Sequence, residues 1–290
     1  MRRRFLIVHN AYAGTRSRSL LRDVCSTLEN AGAEVHTEHV ADIEQDRLVA
    51  EQAAKAGSYD AVVAAGGDST IRGVASGLIG TAMPLGIIPV GTGNVLAHEL
   101  GLRRDPAALA QVLLHGPTHS IPCGLADQTP FLLMAGVGFD AHVVEKLSTP
   151  WKRSIGKLAY AWPILRELLR KPQTFDVHVD GRLFPVTWLV ATRAAHYGGS
   201  FVIAKDQTLS GNGFHAVLVN TDSRTALVRV LIAIALGRHQ TLQEVTILPC
   251  THLRIEPGVI AAAQIDGERI ENLPREILLS DKKLNLIVPS

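Results

Sequence analysis

Three short segments in the first hundred residues carry groups able to hold a phosphate: Asn10-Ala-Tyr-Ala-Gly14, Gly66-Gly67-Asp68-Ser69-Thr70 and Pro89-Val-Gly91-Thr92-Gly93-Asn94. Glycines let a backbone approach an anion closely, and the N–H groups that open a helix attract its charge. Thr70, Thr92 and Asn94 add side-chain donors. Asp68 is a carboxylate among these groups, suited to holding Mg²⁺ through water or orienting a hydroxyl. Each segment alone is weak. Gly91-x-Gly93 lacks the third glycine of the dinucleotide fingerprint, there is no GxxxxGK[ST] loop, and Gly-Gly-Asp is commonly a plain turn. Their shared character is what points to phosphate chemistry.

The elements around them explain how they come together. Phe5–Val8, Glu34–Val40, Asp60–Ala65 and Pro84–Pro89 read as strands. Ser19–Asn30, Ile43–Ala56, Thr70–Leu78, Val95–Leu100 and Pro106–Leu114 have helical spacing. This alternation predicts a Rossmann-like parallel α/β domain with helices on both faces. Ligands of such a sheet sit beyond the carboxyl ends of the strands, where all three segments fall. Thr37 is read as the end of the second strand, level with them. After Ile121-Pro122 short β-like runs take over: Phe131–Ala135, Phe175–Val179, Thr187–Ala191, Phe214–Val219, Glu244–Ile247, His252–Glu256, Ala261–Ile265 and Leu284–Val288. Turn signals separate them, so residues 123–290 are expected to form an antiparallel sandwich behind a nucleotide-binding domain of residues 1–122. Two helical stretches, Ser154–Arg170 and Arg224–Leu236, interrupt it.

Composition narrows the function classes. The chain has 290 residues, 47% apolar and 19% charged, with a formal charge of +2. That is enough apolar material for a sizeable core and too little net charge for a nucleic-acid footprint. The mean hydropathy of +0.16 prompts a search for a membrane span. The strongest apolar run, Val230 to Leu236 between Arg229 and Arg238, is too short for one. The basic start Met1 to Arg4 precedes only four apolar residues, which reads as a first strand rather than a signal peptide. Cys25, Cys123 and Cys250 form no disulfide framework, which fits a reducing, cytoplasmic compartment. His36-Thr-Glu-His39 lacks metal-site spacing and reads as surface histidines.

Taken together, HNAYAG, GGDST and PVGTGN resemble the Asn-x-x-x-Gly, GGDG[ST] and Pro-x-Gly-Thr-x-Asn segments of the diacylglycerol/sphingosine kinase family. Ala135-Gly-Val-Gly-Phe-Asp140-Ala is similar to its Gly-x-Gly-Phe-Asp-Ala element. His196-Tyr-Gly-Gly199 is similar to its Tyr-Gly-Gly turn, and Ile265-Asp266-Gly267-Glu268 to its Asp-Gly-Glu motif. The six elements occur in family order over nearly the whole chain. The resemblance implies an NAD kinase/diacylglycerol kinase-like α/β domain, a C-terminal β-sandwich and an active site between them. It implies ATP and Mg²⁺ as cofactors, with ATP held by Asn10, Thr37, the segment Gly66 to Arg72, Gly91, Thr92, Gly93 and Asn94. It implies a membrane-lipid substrate and Glu268 as proton acceptor for its hydroxyl, with Asp266 and Asp68 beside it in the chemistry. Phosphoryl transfer needs such a base near the attacking hydroxyl. The same Asp-Gly pair is also a strong hairpin signal.

The chain departs from the family at four places. Ser69 replaces a glycine, where a positive φ is expected to be needed. Val95 replaces an Asp, and Arg72 an Asn. Asn212, in Leu209-Ser-Gly-Asn212-Gly-Phe214, replaces the Asp that the resemblance implies as a structural Mg²⁺ ligand; Asn is neutral and a weaker ligand for a hard cation. Two other readings stand beside the lipid kinase: an NAD kinase, although the Asn-Thr-Gly-x-Leu-Gly-Phe-like segment of that family is absent, and a binding module that has lost activity. The lipid stays open among diacylglycerol, sphingoid bases, phosphatidylglycerol or some unusual lipid. Residues 146–171 hold seven basic residues against Glu167, a net +6, beside an apolar stripe with Trp162. A basic amphipathic helix of this kind is expected either to dock peripherally on an anionic membrane or to pack its stripe on the sandwich. The net charge is −1 up to residue 122 and +3 after it, so this segment outweighs the rest of its half.

Overall fold

The computed structural model describes residues 1–10, 15–91, 93–147, 166, 168, 170, 172–199, 201–256 and 262–290. They form two compact units, Met1–Cys123 with Asp281–Ser290, and Gly124–Ser280.

Unit 1 alternates strand and helix: β1 (Arg4–Asn10), α1 (Thr15–Asn30), β2 (Glu34–Val40), α2 (Ile43–Ala56), β3 (Ala61–Gly66), α3 (Asp68–Leu78), β4 (Leu85–Pro89), α4 (Val95–Glu99) and α5 (Pro106–His115). The strands are parallel in the order β2-β1-β3-β4. The chain therefore winds outward in both directions from the β1–β3 pair, which places a ligand crevice at the carboxyl ends of those two strands. β3 is buried along its whole length, as its continuous apolar sequence requires of a central parallel strand. Helix boundaries follow local chemistry. Asp42 caps α2 by accepting from the Gln45 N–H, and Gly57 closes it at φ 62°. Asp105 and Pro106 open α5.

Helix α3, which carries the Gly66–Thr70 segment at its start, lies hard against α2. A Cβ at Gly77 would fall 2.3 Å from the Arg47 carbonyl oxygen, and one at Gly73 2.6 Å from Asp46 Cβ. Only glycine allows this approach. It leaves Asp46 1% exposed. Burial, reinforced by Asp42, pushes the Asp46 carboxyl from 3.8 up to about 7.

Unit 2 is an antiparallel β-sandwich. One layer has the order β14-β13-β10-β7-β16-β17, formed by β7 (Met134–Gly138), β10 (Trp188–Thr192), β13 (Phe214–Val219), β14 (Val245–Cys250), β16 (Ala263–Ile265) and β17 (Glu268–Ile270). The other is built from β8 (Phe175–Val179), β9 (Arg182–Val186), β15 (His252–Ile255) and the start of β18 (Glu276–Ile287). β6 (Thr129–Phe131) pairs with the end of β5 (Thr118–Ala126), and β11 (His196–Tyr197) with β12 (Phe201–Val202). Val137, Leu189, Ala216 and Ile265 of the first layer share a core with Val177, Leu253, Ile255 and Ile277 of the second. Helix α6 (Phe139–Leu147) follows β7, and α7 (Arg224–Ala235) starts at the capping Ser223.

Three differences from the sequence reading have physical causes. The run Phe131–Ala135 is not one strand but the end of β6 and the start of β7, because the N–H groups of Leu132, Leu133 and Met134 bond to a side chain, Asp266, instead of to a neighbouring strand. Residues 281–290, assigned by sequence to the second half, group with unit 1, where Leu286 pairs in parallel with Leu85 of β4. Helix α3 begins at Asp68 rather than Thr70, so Ser69 has helical backbone. The expected helix Ser154–Arg170, with most of the basic segment 146–171, lies outside the described residues. Among those described, no helix is long and apolar enough to cross a membrane.

The buried Asp46 sets a pH dependence. Between about pH 4 and pH 7 the folded chain holds a proton there that the unfolded chain releases, so this group's contribution makes stability fall as pH rises through that window. Asp46→Asn is expected to be stabilising at pH 8 and near neutral at pH 4, by denaturant midpoints measured across the range. Parallel pH profiles in both proteins would refute the assignment.

Candidate active site

At the strand ends of unit 1 two loops are stitched together. The Gly66 carbonyl accepts from both Val90 and Gly91 N–H, each at 3.2 Å. A Cβ at Gly91 would lie 2.5 Å from Gly67 Cα and 2.7 Å from Asn94 Oδ1, so the two glycines meet backbone to backbone. Gly67 opens α3 in an extended conformation without a side-chain cap. Such an end offers N–H groups to an anion. Thr70 is buried on Gly66, where any Cβ would clash with it.

Asp68 and Asn94 have structural duties here. The Asp68 carboxylate accepts from Val95 N–H (3.2 Å) and Leu96 N–H (3.3 Å), and so caps α4 from the neighbouring helix. Asn94 sits at φ 49°, ψ 48°, and its Nδ2 donates to the Gly91 carbonyl at 2.6 Å. At 5% exposure its amide shapes the loop. Gly93 borders Asp68, with a Cβ there 3.2 Å from Oδ2. Ser69 and Val95 fit their places, in the first turns of α3 and α4. The positive φ expected at Ser69 is not needed, which removes that argument for an impaired site.

The remaining nucleotide candidates divide. Thr37 is not at a strand end: it pairs with Ile7, three residues before Val40, and is exposed on the edge strand β2. Three strand residues span about 10 Å, so it stands apart from the loop pair. Asn10 closes β1, but its side chain, like all of Thr92, lies outside what is described. Just before Asn10, His9 is buried with Nδ1 3.5 Å from His39 Nδ1. Burial first, then His39, lowers its pKa.

In unit 2, β16 and β17 are joined by Asp266 (φ 49°) and Gly267 (φ 81°), a two-residue turn with both residues left-handed. The Asp266 carboxylate accepts from the N–H groups of Leu132 (2.8 Å), Leu133 (2.9 Å) and Met134 (2.9 Å) and is 6% exposed. These bonds give Asp266 a structural duty: it anchors the turn. Gly267 N–H donates to Gln264 Oε1 at 2.8 Å, while Gln264 Nε2 donates to Asp140 Oδ2 at 2.9 Å. Asp140 lies on Gly136, whose Cβ would come within 2.2 Å of its Oδ2. Burial pushes the Asp140 carboxyl up to about 7 against the pull of the Gln264 hydrogen bond. Asp140 thus fixes the Gln264 amide, which fixes the turn. Glu268, the first residue of β17, is half-buried and is the carboxylate this scaffold presents.

Asn212 is exposed in the loop 209–213, and the cation implied there does not fit. The carbonyls of Leu209, Gly211 and Gly213 already accept from the guanidinium of Arg193. Among the described residues, no three His, Cys, Asp or Glu side chains cluster as a metal site. Sequence reasoning passed over Arg193 and Gln264. The available signal was a polar residue inside an apolar strand run, in TWLVATRAA and AAAQID.

Residues 4–126 match the diacylglycerol kinase catalytic domain, and residues 134–288 match the YegS C-terminal NAD kinase beta sandwich-like domain. A diacylglycerol kinase of Mycobacterium tuberculosis is 33% identical over 249 residues, 82% of this chain and 79% of its own length. The chain belongs to the diacylglycerol kinase catalytic-domain family. A diacylglycerol kinase of Bacillus subtilis is 26% identical over 294 residues, covering 99% of this chain and 97% of that one. An uncharacterized Synechocystis protein is 30% identical over 238 residues, and the match spans 54% of its length. A solved diacylglycerol kinase from Bacillus anthracis, 16% identical, shares the fold with a TM-score of 0.72 over 99% of this chain and 97% of its own. As a member of this family the chain carries a kinase catalytic domain, and its Asp-Gly-Glu turn falls in the second matched span.

The turn geometry separates its two carboxylates. Asp266→Ala strips the acceptor from three buried N–H groups, each costing about 1–3 kcal/mol, and is expected to lower the thermal midpoint markedly. An unchanged midpoint would show that the turn stands without this anchor.

Proposed function

We propose that the protein is an ATP-dependent lipid kinase that transfers the γ-phosphoryl group of ATP to a hydroxyl of a membrane lipid of diacylglycerol or sphingoid type. What carries this reading, in a chain of this family, is the Gly67–Gly91 contact at the uncapped start of α3. It leaves open backbone at the carboxyl ends of the central strands, where a phosphate is held by N–H groups rather than by side chains. In this reading Gly66, Gly67, Ser69, Thr70 and Gly91 to Gly93 hold the nucleotide phosphates. Asp68 is the carboxylate of that loop pair that would hold Mg²⁺, which neutralises phosphate charge when bound.

Glu268 is the proposed general base. It takes the proton of the lipid hydroxyl as the new oxygen–phosphorus bond forms and the bond to ADP breaks. Asp266, Gln264 and Asp140 act as positioning residues, holding the turn on which Glu268 stands.

The decisive experiment supplies γ-labelled ATP with a total lipid extract and, separately, with NAD, and identifies labelled products by mass spectrometry. Label in a lipid is expected. Label in NAD points to an NAD kinase, and label in neither to a binding module. Glu268→Gln is expected to keep the wild-type thermal midpoint and ATP affinity while turnover drops by about 10² or more; a near-wild-type rate rejects the assignment.

The basic segment 146–171 is the proposed membrane contact, its net +6 drawn to anionic headgroups. Co-sedimentation with anionic vesicles is expected to weaken on charge reversal of Lys152, Arg153 and Lys157; unchanged binding would sink this role.

A further inference from the structure

Arg193 is fully buried, at 0% exposure, at the end of β10 in unit 2. A guanidinium so placed is tolerated only when hydrogen-bonded acceptors replace its water. The acceptors are backbone carbonyls of a single loop. One terminal nitrogen donates to Gly213 O at 3.2 Å and Gly211 O at 3.4 Å. The other donates to Leu209 O and, at 3.4 Å, to Gly211 O. Three carbonyls within five residues thus converge on one positive charge, an arrangement in which a loop commonly wraps a metal ion.

The rest of the loop suits a fixed guanidinium and not a divalent ion. Asn212, between two of the converging carbonyls, is neutral and exposed. The buried Gln207 supports the same loop through neutral hydrogen bonds, its Nε2 donating to Thr208 O (3.0 Å) and Gly213 O (3.3 Å) while its Oε1 meets His215 Nδ1 at 2.6 Å. A divalent ion on these carbonyls would displace the guanidinium N–H groups, sit against their charge, and find no carboxylate from Asn212 to offset it.

We infer that Arg193 is a built-in cation for loop 209–213, standing in for a structural divalent ion, so that the loop folds without metal. The residue also links the loop to the scaffold of the Asp-Gly-Glu turn through its backbone. The Arg193 backbone N–H donates to Leu133 O at 2.7 Å, and Leu133 N–H donates to the Asp266 carboxylate at 2.9 Å. The inference is independent of the phosphoryl-transfer reading, and its test needs no turnover.

The test is thermal unfolding of the full chain without nucleotide, in Mg²⁺ and in EDTA, with Mg²⁺ binding followed by calorimetry. Wild type is expected to give the same midpoint in both and no structural Mg²⁺ binding. Arg193→Met is expected to lose about 5 °C or more in both conditions. Adding Asn212→Asp to it is expected to recover stability in Mg²⁺ only, opening a gap between the two curves. Asn212→Asp alone, with Arg193 in place, is expected to open no gap, which keeps the inference testable if Arg193→Met fails to fold. A wild-type midpoint that rises with Mg²⁺, an Arg193→Met midpoint equal to wild type, or a Mg²⁺-dependent gap in Asn212→Asp alone would each overturn it.

Discussion

The carboxylate of Asp266 accepts hydrogen bonds from three successive backbone amides, Leu132 to Met134, and much of unit 2 is arranged around that fact. Those amides would otherwise extend one strand across residues 131–135. Their capture breaks the run into β6 and β7 and ties the start of the central strand β7 to the β16–β17 turn. A buried carboxylate with three N–H donors is a strong fixed point, because removing either side leaves charge or donors unsatisfied. From it the scaffold extends in two directions: through Gln264 to Asp140 and the start of α6, and through Leu133 to Arg193 and the loop 209–213.

Unit 1 solves a comparable problem with the absence of side chains. Gly73 and Gly77 let α3 press on α2, and Gly67 and Gly91 let the loops after β3 and β4 touch through their backbones. Asp68 then bridges the loops by capping α4. Asp68 and Asn94, polar residues of the kind that bind ligands, therefore build the loop pair proposed to hold the nucleotide. Rigid backbone at a strand end is what an anion site needs, since N–H groups must be aimed before the anion arrives.

The same economy appears at Asn212. Its departure from the family pattern reads in isolation as the loss of a site. With Arg193 beneath the loop it reads as an exchange of one cation for another, guanidinium for metal, with the acidic partner no longer required.

Sequence alone determined the classes of element and the positions of the glycine-rich segments, because periodicity, caps and turn dipeptides are local. The alternation that makes a parallel α/β domain, the sandwich, and the hairpin signal at Asp266-Gly267 were legible for that reason, whereas the strand order β2-β1-β3-β4 was not. Tertiary structure decided what each polar side chain does. Asp266 and Glu268 are two residues apart and chemically alike, yet one is buried on three amides and the other is presented. Thr37 looked level with the loops until the register paired it with Ile7. Arg193 and Gln264 went unseen because the carbonyls that hold the Arg193 guanidinium lie 16–20 residues away and the Asp140 carboxylate that fixes Gln264 lies 124 residues away. Hydrogen-bond partnership over such separations is a property of the folded chain, and no local pattern encodes it.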